Sequence, residues 1–281
     1  MPSSRQRRMT PATSEPLHEG RVLSIAGLDP SGGAGLLADI KTISMHNCYG
    51  AGVATAQTVQ NTCGVSHVEP VDLSLISKQI KAVLDDMEIE AIKIGMLHNE
   101  KIIEQIATDL SSRDQNYIII IDPIIKSSSG AELLSVRGVN AMVERLFPLT
   151  TVLTPNIPEA EVLADMKIKT KQDMLKAATL IKKMGVENVL LTGGHLSGDK
   201  VVDVLLTSAR EVYFESEKLH TKNDHGTGCA LSTSIACLLS QGFELAVAVE
   251  QAKKYVFEAI KNSKNIGKGN GPINHIFANE K

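Results

Sequence analysis

From Arg21 onward, short apolar runs alternate with longer stretches whose apolar positions recur at three- and four-residue spacing. The short runs fit strands covered on both faces, and the longer stretches fit amphipathic helices. This rhythm predicts an α/β fold in which helices cross between parallel strands. Strands are predicted over residues 22–26, 52–57, 91–95, 117–122, 151–154 and 188–192. Helices are predicted over 35–47, 73–87, 100–111, 136–146, 171–184, 229–241 and 244–263. Between residues 200 and 219 the pattern changes to that of a hairpin or an antiparallel edge. A ligand is expected at the carboxyl ends of the parallel strands.

No repeat, low-complexity block or long linker divides the chain, so residues 21–281 are read as one catalytic domain. Residues 1–20 carry Arg5, Arg7 and Arg8 among Ser, Thr and Pro, with no acid before Glu15. A disordered tail is the preferred reading there, with an organelle transit peptide as the alternative.

The chain has 281 residues, 43% of them hydrophobic and 22% charged, which is enough to bury a substantial core. A net charge of -3 gives no broad field for polyanions, and no Lys or Arg run forms a basic patch, so nucleic acid is not an expected partner. No apolar stretch approaches the roughly 18 residues of a membrane span, and a soluble, cytoplasmic protein is expected. Cys48, Cys63, Cys229 and Cys237 form no CxxC pair and have no His at zinc-finger spacing. Neither disulfides nor structural zinc is therefore expected, and a reducing compartment fits.

The strongest chemical signal is Asp224-His225-Gly226-Thr227-Gly228-Cys229, where glycines lead directly into a predicted helix. Unpaired N–H groups at a helix start, with the positive end of its dipole, seat a phosphate or a developing oxyanion. Cys229 lies in that field and is expected to have its thiolate favoured, as a proton acceptor or a polar contact for a hydroxyl nucleophile. A small packing cysteine after a Gly-rich turn fits the same residues. A second Gly-rich turn, residues 27–35, also joins a strand to a helix. It has neither the P-loop ending nor the Rossmann glycine spacing.

Three carboxylates stand out. Asp39 lies three residues after Leu36 and four before Ile43, on a mainly apolar helix face, where a buried acid needs a partner. A ligand hydroxyl or amine, or a neighbouring Lys, would serve. Asn156 and Glu159 are three apart at a helix start and are placed to face one Mg²⁺ or its waters, although a capping box explains the same spacing. Asp122 ends the most apolar strand, where α/β sites usually lie.

Taken together, residues 25–35, Ala38-Asp39-Ile40-Lys41-Thr42, Gln60-Asn61-Thr62, Lys93-Ile94-Gly95-Met96-Leu97, Thr154-Pro155-Asn156, Gly193-Gly194-His195 and His225-Gly226-Thr227-Gly228-Cys229 resemble the hydroxymethylpyrimidine and hydroxymethylpyrimidine phosphate kinases. Order and spacing match from about Arg21 to residues 267–275. The resemblance implies a ribokinase-like three-layer α/β fold, a central mostly parallel sheet flanked by helices, commonly as a homodimer. It implies ATP with Mg²⁺ and two successive phosphorylations, of 4-amino-5-hydroxymethyl-2-methylpyrimidine and then of its monophosphate, in thiamine biosynthesis.

By matching position, Asp39, Gln60 and Met96 would form the pyrimidine pocket, with Gly27 and Ala34 nearby. Gln60 suits an aminopyrimidine because its amide offers a donor and an acceptor. The backbone of Gly226, Thr227, Gly228 and Cys229 would hold the transferring phosphoryl group. Cys229 stands where the wider ribokinase group has an Asp base. Asn156, Glu159 and Asp122 would organise Mg²⁺, and Asn156 and Thr192 would lie beside the nucleotide.

Two departures bear on activity. The family usually has Lys immediately before Gly-Gly-His, where this chain has Thr192, and Thr before His-Gly-Thr-Gly-Cys, where it has Asp224. Losing a cation and gaining an anion near a polyphosphate is expected to weaken ATP binding or raise the barrier. Lys222 is the candidate to compensate, by pairing with Asp224 or by turning to the phosphates, and a solvated surface lysine fits it equally. Pyridoxal kinase activity and a catalytically weak, pyrimidine-binding regulatory protein are the alternative functions.

Overall fold

The computed structural model describes residues 16–127, 130–194 and 199–280. One nine-stranded sheet runs through them in the order β3-β2-β1-β4-β5-β6-β7-β8-β9. Its strands are β1 (Arg21–Leu28), β2 (Tyr49–Asn61), β3 (Gly64–Pro70), β4 (Ala91–Ile94), β5 (Ile118–Ile121), β6 (Val152–Leu153), β7 (Asn188–Leu191), β8 (Lys200–Leu206) and β9 (Glu211–Glu217). β2, β1, β4, β5, β6 and β7 run parallel in the body of the sheet, whereas β3, β8 and β9 pair antiparallel at its two edges.

The helices are α1 (Gly35–Met45), α2 (Leu73–Asp86), α3 (Glu100–Ser111), α4 (Val136–Ala141), α5 (Ile157–Ala164), α6 (Lys171–Lys182), α7 (Thr227–Ser240) and α8 (Leu245–Lys261). Because strand side chains alternate between faces, the parallel strands feed two separate cores. Leu23, Ile25, Ile92, Ile94, Ile119 and Ile121 pack with buried residues of α2 to α6. Val22, Ala91, Ile120, Val152 and Leu190 pack with α1, α7 and α8. This is the expected three-layer arrangement.

Several boundaries differ from the sequence reading. The strand predicted at 52–57 is longer in both directions, and it turns back into β3, which the sequence does not predict. No residue of β3 is buried, so no apolar alternation marks it. α5 follows the predicted capping position but falls outside the predicted helices, and the helix expected over 136–146 is α4 continued by a π-helical turn at Met142–Leu146.

The chain is tied down before Arg21. Leu17 N donates to Gln241 O at 3.0 Å, the His18 ring meets Glu90 at 3.0 Å, and Gly20 O accepts from Tyr49 N at 2.8 Å. The boundary of the expected tail therefore moves towards the N-terminus, while residues 1–15 lie outside the described residues. Among the described residues, no helix is long and apolar enough to cross a membrane.

Candidate active site

A cavity of about 780 Å³ opens along the carboxyl edge of the parallel strands, a size suited to a small ligand. Successive strands deliver its floor: Gln60 from β2, Gly27 from β1, Met96 after β4, Asp122 after β5, Asn156 after β6 and Thr192 after β7. The chain reverses direction across the sheet between β1 and β4, the kind of switch point where open α/β sheets leave a crevice. The predicted Gly27, Ala34, Gln60 and Met96 gather at one end, and Thr192 with β8 and β9 lies at the other.

The start of α7 stands between the two ends. Gly226 has φ of +87°, open to glycine at little strain, and lets the chain turn into the helix. Gly226, Thr227, Gly228 and Cys229 all line the cavity. A Cβ on Gly226 would collide with the carbonyl oxygen of Gly33, and one on Gly33 would come within 2.5 Å of Cδ2 of His225. The two Gly-rich loops thus interlock, and their glycines are required by close approach. Asp224, exposed at the rim, uses its carbonyl to accept from Thr227 N at 3.2 Å and Thr227 Oγ1 at 2.6 Å.

Asp39 does not reach the cavity. It is wholly buried, and its carboxylate accepts from Lys93 Nζ at 2.9 and 2.8 Å, Ser24 Oγ at 2.6 Å and Thr233 Oγ1 at 2.8 Å. All its bonding capacity faces the protein, so the neighbouring-Lys alternative holds and the ligand-binding expectation is corrected. Burial works against the Lys93 ammonium, but Asp39, with Cys229 and Asp122, more than offsets it and raises its pKa.

The expectation of a favoured Cys229 thiolate is also overturned. Burial pushes the thiol up to about 12, and the nearby Lys93 charge offsets this only in part. Desolvation outweighs the helix field because Cys229, although it lines the cavity, is almost wholly buried. Asp122 is raised to about 6, chiefly by burial. Glu159 is raised to about 8, first by burial and then by the Asp122 charge. Glu159 and Asn156 do form a capping box, with Asn156 N donating to Glu159 Oε2 and Glu159 N to Asn156 Oδ1, both at 2.9 Å. Both side chains nevertheless line the cavity.

At the far end, buried Asp203 accepts from Gly193 N at 2.8 Å and pairs with Lys253 of α8. Lys253 and Lys218 line the cavity, whereas Lys222 does not: it is exposed, and its carbonyl accepts from Gly271 N at 3.0 Å. Its expected place beside the phosphates is corrected, because the loop turns its side chain to solvent. His195 lies outside the described residues.

Sequence reasoning passed over three residues that the structure brings into the site or directly beneath it. Lys93 was legible as a lone charge in an apolar strand, which demands a partner. Asp29 and His225 sit inside recognised motifs but are 196 residues apart, and nothing local announces their contact at 2.9 Å.

A sequence profile for phosphomethylpyrimidine kinase matches residues 29–274. The hydroxymethylpyrimidine/phosphomethylpyrimidine kinase of Aquifex aeolicus is 41% identical over 88% of this chain and 96% of its own length. The thiamine biosynthesis bifunctional protein of Geobacter sulfurreducens is 41% identical over 94% of this chain, which spans 54% of that longer protein. Among solved structures, an ADP complex of Bacillus subtilis pyridoxal kinase superimposes with a TM-score of 0.85 at 34% identity, covering 94% of this chain and 100% of that one.

Proposed function

Because this chain belongs to the phosphomethylpyrimidine kinase family, we propose that it transfers the terminal phosphoryl group of ATP to 4-amino-5-hydroxymethyl-2-methylpyrimidine and then to the resulting monophosphate. The observation that carries this reading is the two-ended cavity with the start of α7 between its ends. The ring binds between Gly27, Ala34, Gln60 and Met96, and the nucleotide binds against Thr192, Asn156 and the β8–β9 edge. The transferring group then lies over the N–H groups of residues 226–229, where a developing negative charge is stabilised without reorganisation.

Cys229 enters this reading as a neutral thiol. A group raised to about 12 is not a resting base, but it orients the substrate hydroxyl by hydrogen bonding. Phosphoryl transfer passes through a loose transition state in which positioning and charge stabilisation dominate, so late proton loss is tolerated.

Asp122 and Glu159 suit a hard cation: two buried carboxylates, each raised in pKa, need either protons or a counter-charge. Among the described residues, no group of three or more His, Cys, Asp or Glu side chains is placed to hold a metal alone. The two acids would therefore hold Mg²⁺ together with water and the phosphates, and Asn156 would assist. When bound, Mg²⁺ neutralises charge on the phosphate oxygens.

The likeness to a pyridoxal kinase supports a second substrate reading, pyridoxal in the same ring site. A product-resolved assay with ATP, Mg²⁺ and hydroxymethylpyrimidine, beside its monophosphate and pyridoxal, decides between them. Monophosphate followed by diphosphate is expected. Pyridoxal phosphate alone, or no product from a folded, pyrimidine-binding protein, overturns the leading reading. One catalytic domain and a homodimer belong to the same reading and are supported by the family resemblance.

A further inference from the structure

We propose that Asp29 and His225 form a positioning pair that fixes which way round the Gln60 amide faces, and so which donor and acceptor the cavity presents to the substrate ring. The inference rests on the ring binding against Gln60.

Asp29 is buried and gathers its own loop. Its Oδ1 accepts from Ser31 N at 2.8 Å and Ser31 Oγ at 2.7 Å, and its Oδ2 accepts from Ala34 N at 3.0 Å. The same Oδ2 lies 2.9 Å from His225 Nε2. Burial pushes the Asp29 carboxyl up, yet the bonds from His225 and Ser31 outweigh it and hold the group below its ordinary value. An ionised carboxylate only accepts, so His225 must carry a proton on Nε2.

That proton dictates the next contact. The end of the Gln60 amide that faces His225 is 3.3 Å from the same Nε2, and an N–H donor there requires a carbonyl opposite it. At the other end, Thr58 Oγ1 lies 3.1 Å from Gln60 and 3.0 Å from Leu28 O. A hydroxyl has one hydrogen, and the Leu28 carbonyl has no alternative to accepting it. Thr58 can then only accept from Gln60, which requires the amide NH₂ to face it.

The structure places the amide nitrogen towards His225 and its oxygen towards Thr58. Two donors would then meet at Nε2, and one Thr58 hydrogen would face two acceptors. Turning the amide over removes the meeting of two donors, and its two ends are nearly identical in shape. The single Nε2 hydrogen is then shared in a three-centre bond between Asp29 Oδ2 at 2.9 Å and the Gln60 carbonyl at 3.3 Å, and the Thr58 hydrogen goes to Leu28 alone. One N–H and one carbonyl lone pair remain for a ligand, in an order set by Asp29 through His225. An aminopyrimidine edge, a ring nitrogen beside an amino group, reads that order directly. Since His225 immediately precedes Gly226, the same pair ties the wall of the ring site to the phosphate seat.

The test is a double-mutant cycle on hydroxymethylpyrimidine binding by calorimetry, with Asp29→Asn, Gln60→Ala and both changes together, beside ¹⁵N spectra of His225. Asparagine at position 29 has an amide that donates to Nε2, so it releases the tautomer and lets the Gln60 amide turn. Asp29→Asn is expected to weaken binding about tenfold in the parent and less than about twofold beside Gln60→Ala. His225 is expected as the Nε2–H tautomer in the unmodified protein, a readout that stands even if Asp29→Asn does not fold. Equal weakening in both backgrounds, or an Nδ1–H tautomer in the parent, overturns the pair's role. Undiminished binding by Gln60→Ala overturns the ring placement itself, and the inference with it.

Discussion

Lys93 Nζ lies 2.9 and 2.8 Å from the two carboxylate oxygens of Asp39, with both side chains wholly removed from solvent. Thr233, which joins them, is one helical turn beyond Cys229 on the same side of α7. The ion pair therefore lies beneath the start of α7 rather than in the cavity.

Breaking that pair leaves a buried charge with no counterpart. Asp39→Ala is expected to cost about 3–5 kcal/mol in urea unfolding, while the fraction that remains folded binds pyrimidine normally. Weaker pyrimidine binding at unchanged stability would return Asp39 to the role of a ligand contact.

The four cysteines are free, and Cys63 alone is exposed. With its thiol raised to about 12, Cys229 holds almost no thiolate near neutrality. Brief treatment with iodoacetamide at pH 7.5 is expected to label Cys63 and spare Cys229 in peptide mass spectrometry. Rapid labelling of Cys229 would show an activated thiol. Cys229→Ala is expected to lower kcat more than it raises substrate KM; an unchanged kcat would remove Cys229 from the reaction.

Glu159 gives the folded chain a pH signature. Its pKa rises from 4.5 to about 8, so the folded state holds a proton that the unfolded state has lost between those values. Stability from this group is complete below pH 4.5 and falls as pH climbs towards 8. Asp122, raised from 3.8 to about 6, acts in the same sense at lower pH. His46 and His275, both lowered from 6.5 to about 4 by burial, oppose these acids only below pH 6.5. Thermal melts from pH 6.5 to 8 should therefore show a falling midpoint, and Mg²⁺ with nucleotide should reduce the fall. A flat profile would place the Glu159 pKa near its ordinary value.

Gly226→Ala adds a methyl group to a residue at φ of +87° and drives it into the Gly33 carbonyl. The two loops must separate, which displaces the N–H groups that, in the proposed function, receive the phosphoryl group. A fall in kcat of about 10²–10³ is expected, with ring binding measured without nucleotide changing much less. Equal losses in both measurements would indicate general disruption of the cavity.

How far the sequence carried depends on the distance over which each feature is encoded. Apolar runs located β1, β4, β5, β6 and β7, which are covered on both faces, and the middle of β2, while apolar periodicity located seven helical regions. It missed β3, whose seven residues include none that is buried. The glycines around Gly33 and Gly226 were legible as turns that join a strand or loop to a helix, but their mutual interlocking was not. Asp39 was legible as buried, although a single chain position does not say whether protein or ligand supplies its partner. The cysteine expectation failed for a related reason: the helix field is encoded locally, whereas the packing that seals the thiol is not.

The helix that begins at the phosphate seat is also one of the most enclosed parts of the molecule, with 11 of the 14 residues of α7 buried. From Cys229 onward the helix cannot shift without disturbing the packing around it. The ring site, by contrast, is bounded by β2 and the loop over residues 27–35, nearer the sheet's margin. Under the proposed function, the landing point of the phosphoryl group is therefore held by the body of the molecule, and the choice of acceptor is set by one wall of the cavity.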